Sequence, residues 1–171
     1  MTLAELNALS PNEAHAELLR CCGSSRWASA MTSLRPFGTA KELNDAAERV
    51  WQGVSSEDWK EAFSHHPRIG DLQSLRQKFA DTARWATTEQ GGVQGSSEMV
   101  LQKLAEGNRL YETKFGYIFI VCAAGKNAHA MLALLQQRLM NDPTSELSIA
   151  GAEQSKITRL RLEKLLNEER A

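Results

Sequence analysis

Thr39-Ala40-Lys41-Glu42-Leu43-Asn44-Asp45-Ala46-Ala47-Glu48-Arg49-Val50-Trp51-Gln52-Gly53 is the stretch whose reading decides the fold class. Thr39 precedes Glu42 by the spacing of a capping box, in which each side chain accepts from the other residue's backbone N–H at a helix start. Leu43, Ala46, Ala47, Val50 and Trp51 then recur at helical intervals, so one face is apolar and the other carries the charges. Gly53 is the expected stop. The same signature lies upstream in Thr2 with Glu5 and in Ser10-Pro11 with Glu13.

Downstream, a short helix over 57–64 is expected to bury Trp59 and Phe63. Pro67 disfavours helical backbone at His66, which places that imidazole at or just past the helix end. Asp71 or Ser74 is the expected cap of a helix through Leu75, Phe79 and Trp85 that stops at Gly91-Gly92. Ser96 or Ser97 opens one through Val100, Leu101, Leu104, Leu110 and Tyr111 to Gly116. Asn127 caps another through Met131, Leu132, Leu135 and Leu139. Asp142-Pro143 opens a long last helix with Leu147, Ala150, Ile157, Leu160 and Leu165 on its apolar stripe. No segment longer than 117–122 favours strand. The expectation is an all-α fold, a single-domain bundle over residues 1–171 with about eight helices and a long C-terminal one.

At 42% hydrophobic, 24% charged and a formal net charge of -1, the chain has the composition of a soluble globular domain. It has no basic excess with which to release counterions from phosphates, so nucleic acid is not an expected partner. Cys21, Cys22 and the third cysteine, Cys122, offer neither a disulfide framework nor a paired metal spacing, and read as small buried hydrophobes in a reducing compartment. The longest apolar run, 117–124, is too short to span a bilayer. Met1-Thr2-Leu3-Ala4-Glu5 lacks a basic start and apolar run, and Glu169-Arg170-Ala171 is no peroxisomal signal. A cytoplasmic location without membrane attachment is the expectation.

The residues that carry chemistry are few. His65 and His66 are adjacent, so their rings point differently and do not form a helical metal pair; with His15 and His129 they complete no ligand shell, and no metal is expected. His66-Pro67-Arg68-Ile69-Gly70 instead fixes one titratable imidazole beside a rigid ring, and Thr88-Glu89-Gln90-Gly91 follows one helix-length later. A histidine and a glutamate at the ends of successive helices are the minimum equipment for proton transfer without a cofactor. The bland readings are a solvated histidine and a polar helix end. Phe119-Ile120-Val121-Cys122-Ala123-Ala124-Gly125-Lys126 fails as a phosphate loop, since the earlier Gly is missing and Asn127 replaces Ser or Thr. It reads as a buried extended connection whose backbone groups need partners, and so as a pocket wall. Arg138, Arg159 and Arg161 lie in amphipathic helices, where a surface position is usual. Arg161 stands between Leu160 and Leu162 at the edge of the stripe, where a guanidinium needs a carboxylate, a carbonyl or a ligand.

Taken together in order, these motifs resemble the 2-oxo-4-hydroxy-4-carboxy-5-ureidoimidazoline (OHCU) decarboxylases of urate breakdown over nearly the whole chain. The likeness begins with Cys22-Gly23-Ser24, Trp27, Met31, Arg35-Pro36-Phe37, Asp58-Trp59 and Ala62-Phe63. It continues through His66-Pro67-Arg68-Ile69-Gly70, Trp85, Glu89-Gln90, Asn108, Tyr111 and Lys114-Phe115-Gly116. The run 119–126, Arg138, Asn141, Glu146-Leu147, Lys156-Ile157-Thr158 and Arg161-Leu162 complete it.

The resemblance implies an all-α, usually dimeric enzyme of purine catabolism that converts OHCU to (S)-allantoin without metal or cofactor. It implies that His66 and Glu89 are catalytic. It gives substrate contacts to Pro67, Gln90, Phe119, Ile120, Val121, Cys122, Ala123 and Arg161. Ala86 departs from the pattern, since the family often has Ser there; Thr87 or Thr88 are the hydroxyls nearby. Two other readings stand beside this one: a helical lyase or hydrolase acting on another ureide, and a helical interaction module using the apolar stripe over 147–165.

Overall fold

The computed structural model describes residues 1–67, 72–77 and 93–167. The fold is all-α, and among the described residues no strand occurs. Among the described residues, helices run in the order α1 (Leu3–Ala8), α2 (Pro11–Cys22), α3 (Ser25–Ser33), α4 (Ala40–Gly53), α5 (Ser56–Ser64), α6 (Val93–Phe115), α7 (Ala128–Leu139) and α8 (Pro143–Asn167). Residues 72–77 are also helical. Among the described residues no helix is long and apolar enough to cross a membrane.

The caps form for the reasons their side chains supply. Thr2 and Ser10 close full capping boxes with Glu5 and Glu13, and Pro11 occupies the first turn of α2. Thr39 accepts from Glu42 N–H, but the Glu42 carboxylate accepts from the Gly38 N–H at 2.7 Å, so the reciprocal half of that box is displaced by one residue. Ser55 and Asp58 make a further box at α5. Asn127 caps α7 through Ala130 N–H, and the Asp142 carboxylate accepts from Thr144 and Ser145 N–H, each at 3.0 Å, at the start of α8.

Two expected boundaries move, and a third expectation is not reached by the described residues. Gly53 is the last residue of α4 rather than a left-handed stop, and the extended Val54 ends that helix. Ser96 and Ser97 lie inside α6, which starts at Val93. Asp71, Phe79, Trp85 and Gly91-Gly92 lie outside the described residues.

The chain falls into two compact units. The first comprises Met1–His66, Ile120–Cys122 and the chain from Ile149. Its core is Leu6, Leu18, Trp27, Met31, Leu43 and Phe63, all fully buried. Each such side chain contributes about 1.5–3 kcal/mol by leaving water. Trp27 packs α3 on α4 and donates its indole N–H to the Ala47 carbonyl at 3.0 Å. Trp51 and the half-buried Trp59 stack with ring centres 5.6 Å apart. Trp51 donates to the Gly151 carbonyl and Trp59 to the Trp51 carbonyl. Gly151 is required there, because a Cβ would lie 2.9 Å from the Trp59 ring.

The second unit comprises Pro67–Phe119 and Ala123–Ser148. In it α6 packs on α7, close enough at Gly107 that a Cβ would meet Leu135 at 2.7 Å. Val100, Leu101, Leu104 and Tyr111 face inward as expected, whereas Leu110 is exposed. Gly116 ends α6 with φ +79 and its N–H on the Glu112 carbonyl.

The largest correction concerns α8. Its buried face keeps Ala150 and Leu165 of the stripe expected from the sequence but not Leu147, Ile157 or Leu160. Ala150, Gly151, Gln154, Thr158, Leu162 and Leu165 are buried, Ile157 and Leu147 are half-buried, and Leu160 is exposed. Gln154 and Thr158 among these are polar, as is the buried Glu146 in the first turn, which is tolerated because all three side chains are hydrogen-bonded.

Candidate active site

His66 is delivered by the way α5 ends. His65 is the C-cap, with its N–H on the Ala62 carbonyl, and the His66 N–H reaches the Phe63 carbonyl at 3.2 Å. Pro67 follows, has no N–H to continue the ladder, and is exposed. The imidazole therefore stands just past the helix end, as its sequence context implies.

Two side chains of α8 meet that ring within the first unit. Gln154 Oε1 lies 2.5 Å from His66 Nε2, and Arg161 Nη2 lies 3.5 Å from Nδ1. Arg161 also donates to the Cys21 carbonyl at 3.3 Å, and Gln154 Nε2 lies 3.4 Å from the Cys22 carbonyl and 3.1 Å from Thr158 Oγ1. Cys21 and Cys22 belong to the last turn of α2, whose carbonyls have no partner within the helix. Donors from α8 supply what the helix cannot. Burial pushes the Cys22 thiol up to about 12, with hydrogen bonding from Thr158 acting in the opposite direction. It is thus a packing group and not a thiolate nucleophile.

Gly23 makes this junction possible. Its left-handed backbone, φ +87, ends α2, and a Cβ there would stand 2.9 Å from that of His65. Only glycine combines that conformation with that approach.

Ile120, Val121 and Cys122 are non-helical residues of the same unit, Ile120 and Cys122 buried and Val121 half-buried. The Cys122 N–H donates to Glu153 Oε2 at 2.7 Å. The sequence expectation of a non-helical apolar connection with backbone groups in need of partners is met here by a carboxylate next to Gln154.

Phe119 and Ala123 belong to the second unit, both half-buried. Phe119 packs edge-on to Tyr111, and the Arg138 guanidinium lies 4.7 Å from its ring centre. Arg138 is buried, against the surface position expected of it, because Glu146 neutralises it: Nε donates to Glu146 Oε1 at 2.7 Å. Asn141 donates to the other Glu146 oxygen at 2.8 Å, and the Tyr111 hydroxyl donates to Glu146 as well. Burial, followed by the Glu146 carboxylate, pushes the Tyr111 phenol above its ordinary range and keeps it a donor.

Glu89, Gln90 and Ala86 lie outside the described residues. Of the site residues read from sequence, the structure thus brings His66 and Arg161 together beside Cys21 and Cys22. Gln154, Thr158 and Glu153 were missed. The signal for Gln154, Thr158 and Arg161 was present as an i, i+4, i+7 spacing that puts three hydrogen-bonding side chains on one helix face.

Comparison with known proteins supplies the family. The family described as OHCU decarboxylase matches residues 7–163. The uric acid degradation bifunctional protein TTL of Arabidopsis thaliana is 44% identical over 150 residues, which are 86% of this chain and 46% of that protein. This chain therefore spans about half the length of that relative. The 2-oxo-4-hydroxy-4-carboxy-5-ureidoimidazoline decarboxylase of Haloferax volcanii is 27% identical over 95% of this chain and 94% of its own length. A crystal structure of OHCU decarboxylase in the presence of (S)-allantoin superposes with a TM-score of 0.71 at 42% identity, covering 89% of this chain and 98% of that one. The chain belongs to the OHCU decarboxylase family.

Proposed function

We propose that this chain decarboxylates OHCU to (S)-allantoin in urate degradation, with His66 and Glu89 as catalytic residues. The observation that carries the reading is the family match over 7–163, and the pairing of the His66 imidazole with Arg161 supports it. OHCU carries a carboxylate and a hydroxyl on one ring carbon beside a carbon–nitrogen double bond. As carbon dioxide leaves, its bonding electrons flow into that double bond, so the substrate is its own electron sink and the proposal includes no cofactor. The protein's share is orientation, charge placement and one proton handled on one face. His66 manages that proton, and Arg161, which cannot shed its charge, faces the substrate's oxygen atoms.

Pro67, Gln90, Phe119, Ile120, Val121, Cys122 and Ala123 are proposed as substrate contacts, on the family resemblance. Glu89 is proposed as the second carboxyl partner on the same ground. A cytoplasmic homodimer acting as one family domain over 1–171 belongs to the same proposal, and light scattering tests its oligomeric part.

The test is circular dichroism of allantoin formed from freshly generated OHCU, with and without the protein. A fast rise of the (S)-allantoin signal is expected. It should fall by at least ~10²-fold in rate in His66→Asn, the range that general acid–base catalysis contributes. Racemic product at the uncatalysed rate from folded protein excludes this substrate and moves other ureides forward. Near-normal turnover in His66→Asn excludes the assignment of His66.

A further inference from the structure

We propose that Gln154 is a positioning residue that fixes which ring nitrogen of His66 carries the proton, holding the Nε2–H tautomer. The inference rests on the reading of His66 as the imidazole that handles the proton.

A side-chain amide has an end that only accepts and an end that only donates. The Cys22 backbone carbonyl, which can only accept, faces Gln154 Nε2 at 3.4 Å, and Thr158 Oγ1 faces the same nitrogen at 3.1 Å. With the donating end committed to those two oxygens, Oε1 is turned to His66 Nε2 at 2.5 Å. An accepting oxygen at that distance requires a hydrogen on the nitrogen. A neutral imidazole has only one N–H, so Nδ1 holds the lone pair.

The other side of the ring agrees. Arg161 is a donor without acceptor capacity, and its Nη2 stands 3.5 Å from Nδ1, where a lone pair is compatible and a second N–H is not. Its Nη1 is tied to the Cys21 carbonyl. Successive carbonyls at the open end of α2 thus orient the two α8 side chains that read the ring. Gln154 is fully buried and Thr158 nearly so, so water does not compete for the two bonds of the amide nitrogen. Nδ1 is thus the nitrogen that carries the lone pair, on the side where Arg161 stands.

The experiment is two-bond proton–nitrogen correlation NMR of the histidine side chains in the intact protein, at a pH where the ring is neutral, beside steady-state kinetics on OHCU. Wild type is expected to show the proton on Nε2. Gln154→Met removes the acceptor and is expected to give mixed tautomers. Its kcat should drop roughly 10- to 100-fold, part of the general acid–base contribution, with KM moving by less than about threefold. Thr158→Val frees the amide to turn and is expected to give a smaller change in the same direction.

A wild-type spectrum with the proton on Nδ1 overturns the proposal without any variant. So does Gln154→Met with an unchanged tautomer and unchanged kcat. Should Gln154→Met not fold, an unchanged tautomer and kcat in Thr158→Val overturns it. Normal turnover in His66→Asn sinks the catalytic reading instead, while the wild-type tautomer would stand, so the two failures are distinguishable.

Discussion

Gly23 shows how much one residue can decide. It combines φ +87 with a neighbour 2.9 Å from any added Cβ, whereas Gly116 and Gly125 have positive φ with nothing within 4 Å. Gly23→Ala is expected to cost about 1–3 kcal/mol in urea unfolding, as strained backbone does, and more than Gly125→Ala, which carries the backbone part alone. Arg138 makes the complementary case. Arg138→Met leaves Glu146 buried with its cationic partner gone, and about 3–5 kcal/mol of stability should be lost. The double variant Arg138→Met with Glu146→Leu should recover part of that loss, since a buried pair replaced by apolar groups is tolerated better than half a pair. The sequence marks Arg138 as an ordinary surface residue because its partner lies beyond a helix end, across Asp142-Pro143, where no helical spacing relates the two. His66 is legible because its constraint is local: Pro67 alone ends the helix behind it.

The helices divide into what periodicity shows and what it hides. Caps are local events, so Thr2, Ser10, Ser55, Asn127 and Asp142 do what their spacing allows. The buried face of α8 was not legible, because counting apolar residues favours Ile157 and Leu160 over Gln154 and Thr158. Burial of the polar pair depends on partners in α2 and just past the end of α5, which α8 cannot announce. Two caps also give a pH prediction. Hydrogen bonds from Ser55 to Asp58, and from Ser145 to Asp142, hold both carboxyls below their ordinary value of 3.8. A folded value below the unfolded one means the stabilisation is fully present above 3.8 and lost as the pH falls through the lower folded values. Amide hydrogen exchange at the first turns of α5 and α8 is therefore expected to accelerate, after correction for intrinsic rates, when the pH is lowered through that window. Unchanged protection there would contradict it.

At the scale of the molecule, the all-α class follows from patterns repeated in nearly every segment, which is why it is readable where individual register is not. The three cysteines are buried in the folded chain. Alkylation at mildly alkaline pH should leave all three unmodified in native protein and modify all three in guanidinium, read by mass spectrometry. Rapid native labelling of Cys22 would contradict both its burial and its raised pKa.

The stacked indoles of Trp51 and Trp59 have an optical consequence. Two like chromophores this close share their excited states, and such coupling adds a split band to the far-ultraviolet spectrum on top of the helical signal. Ellipticity will therefore misstate helix content in the native chain. The same band is a private reporter. Trp27, Trp51 and Trp59 all lie in the first unit, while both tyrosines, Tyr111 and Tyr117, lie in the second. The exciton signal follows the pair bonded to the Gly151 carbonyl, and phenol absorbance follows the ring cluster around Glu146. Heating while recording both colours will show whether the halves melt together or in sequence.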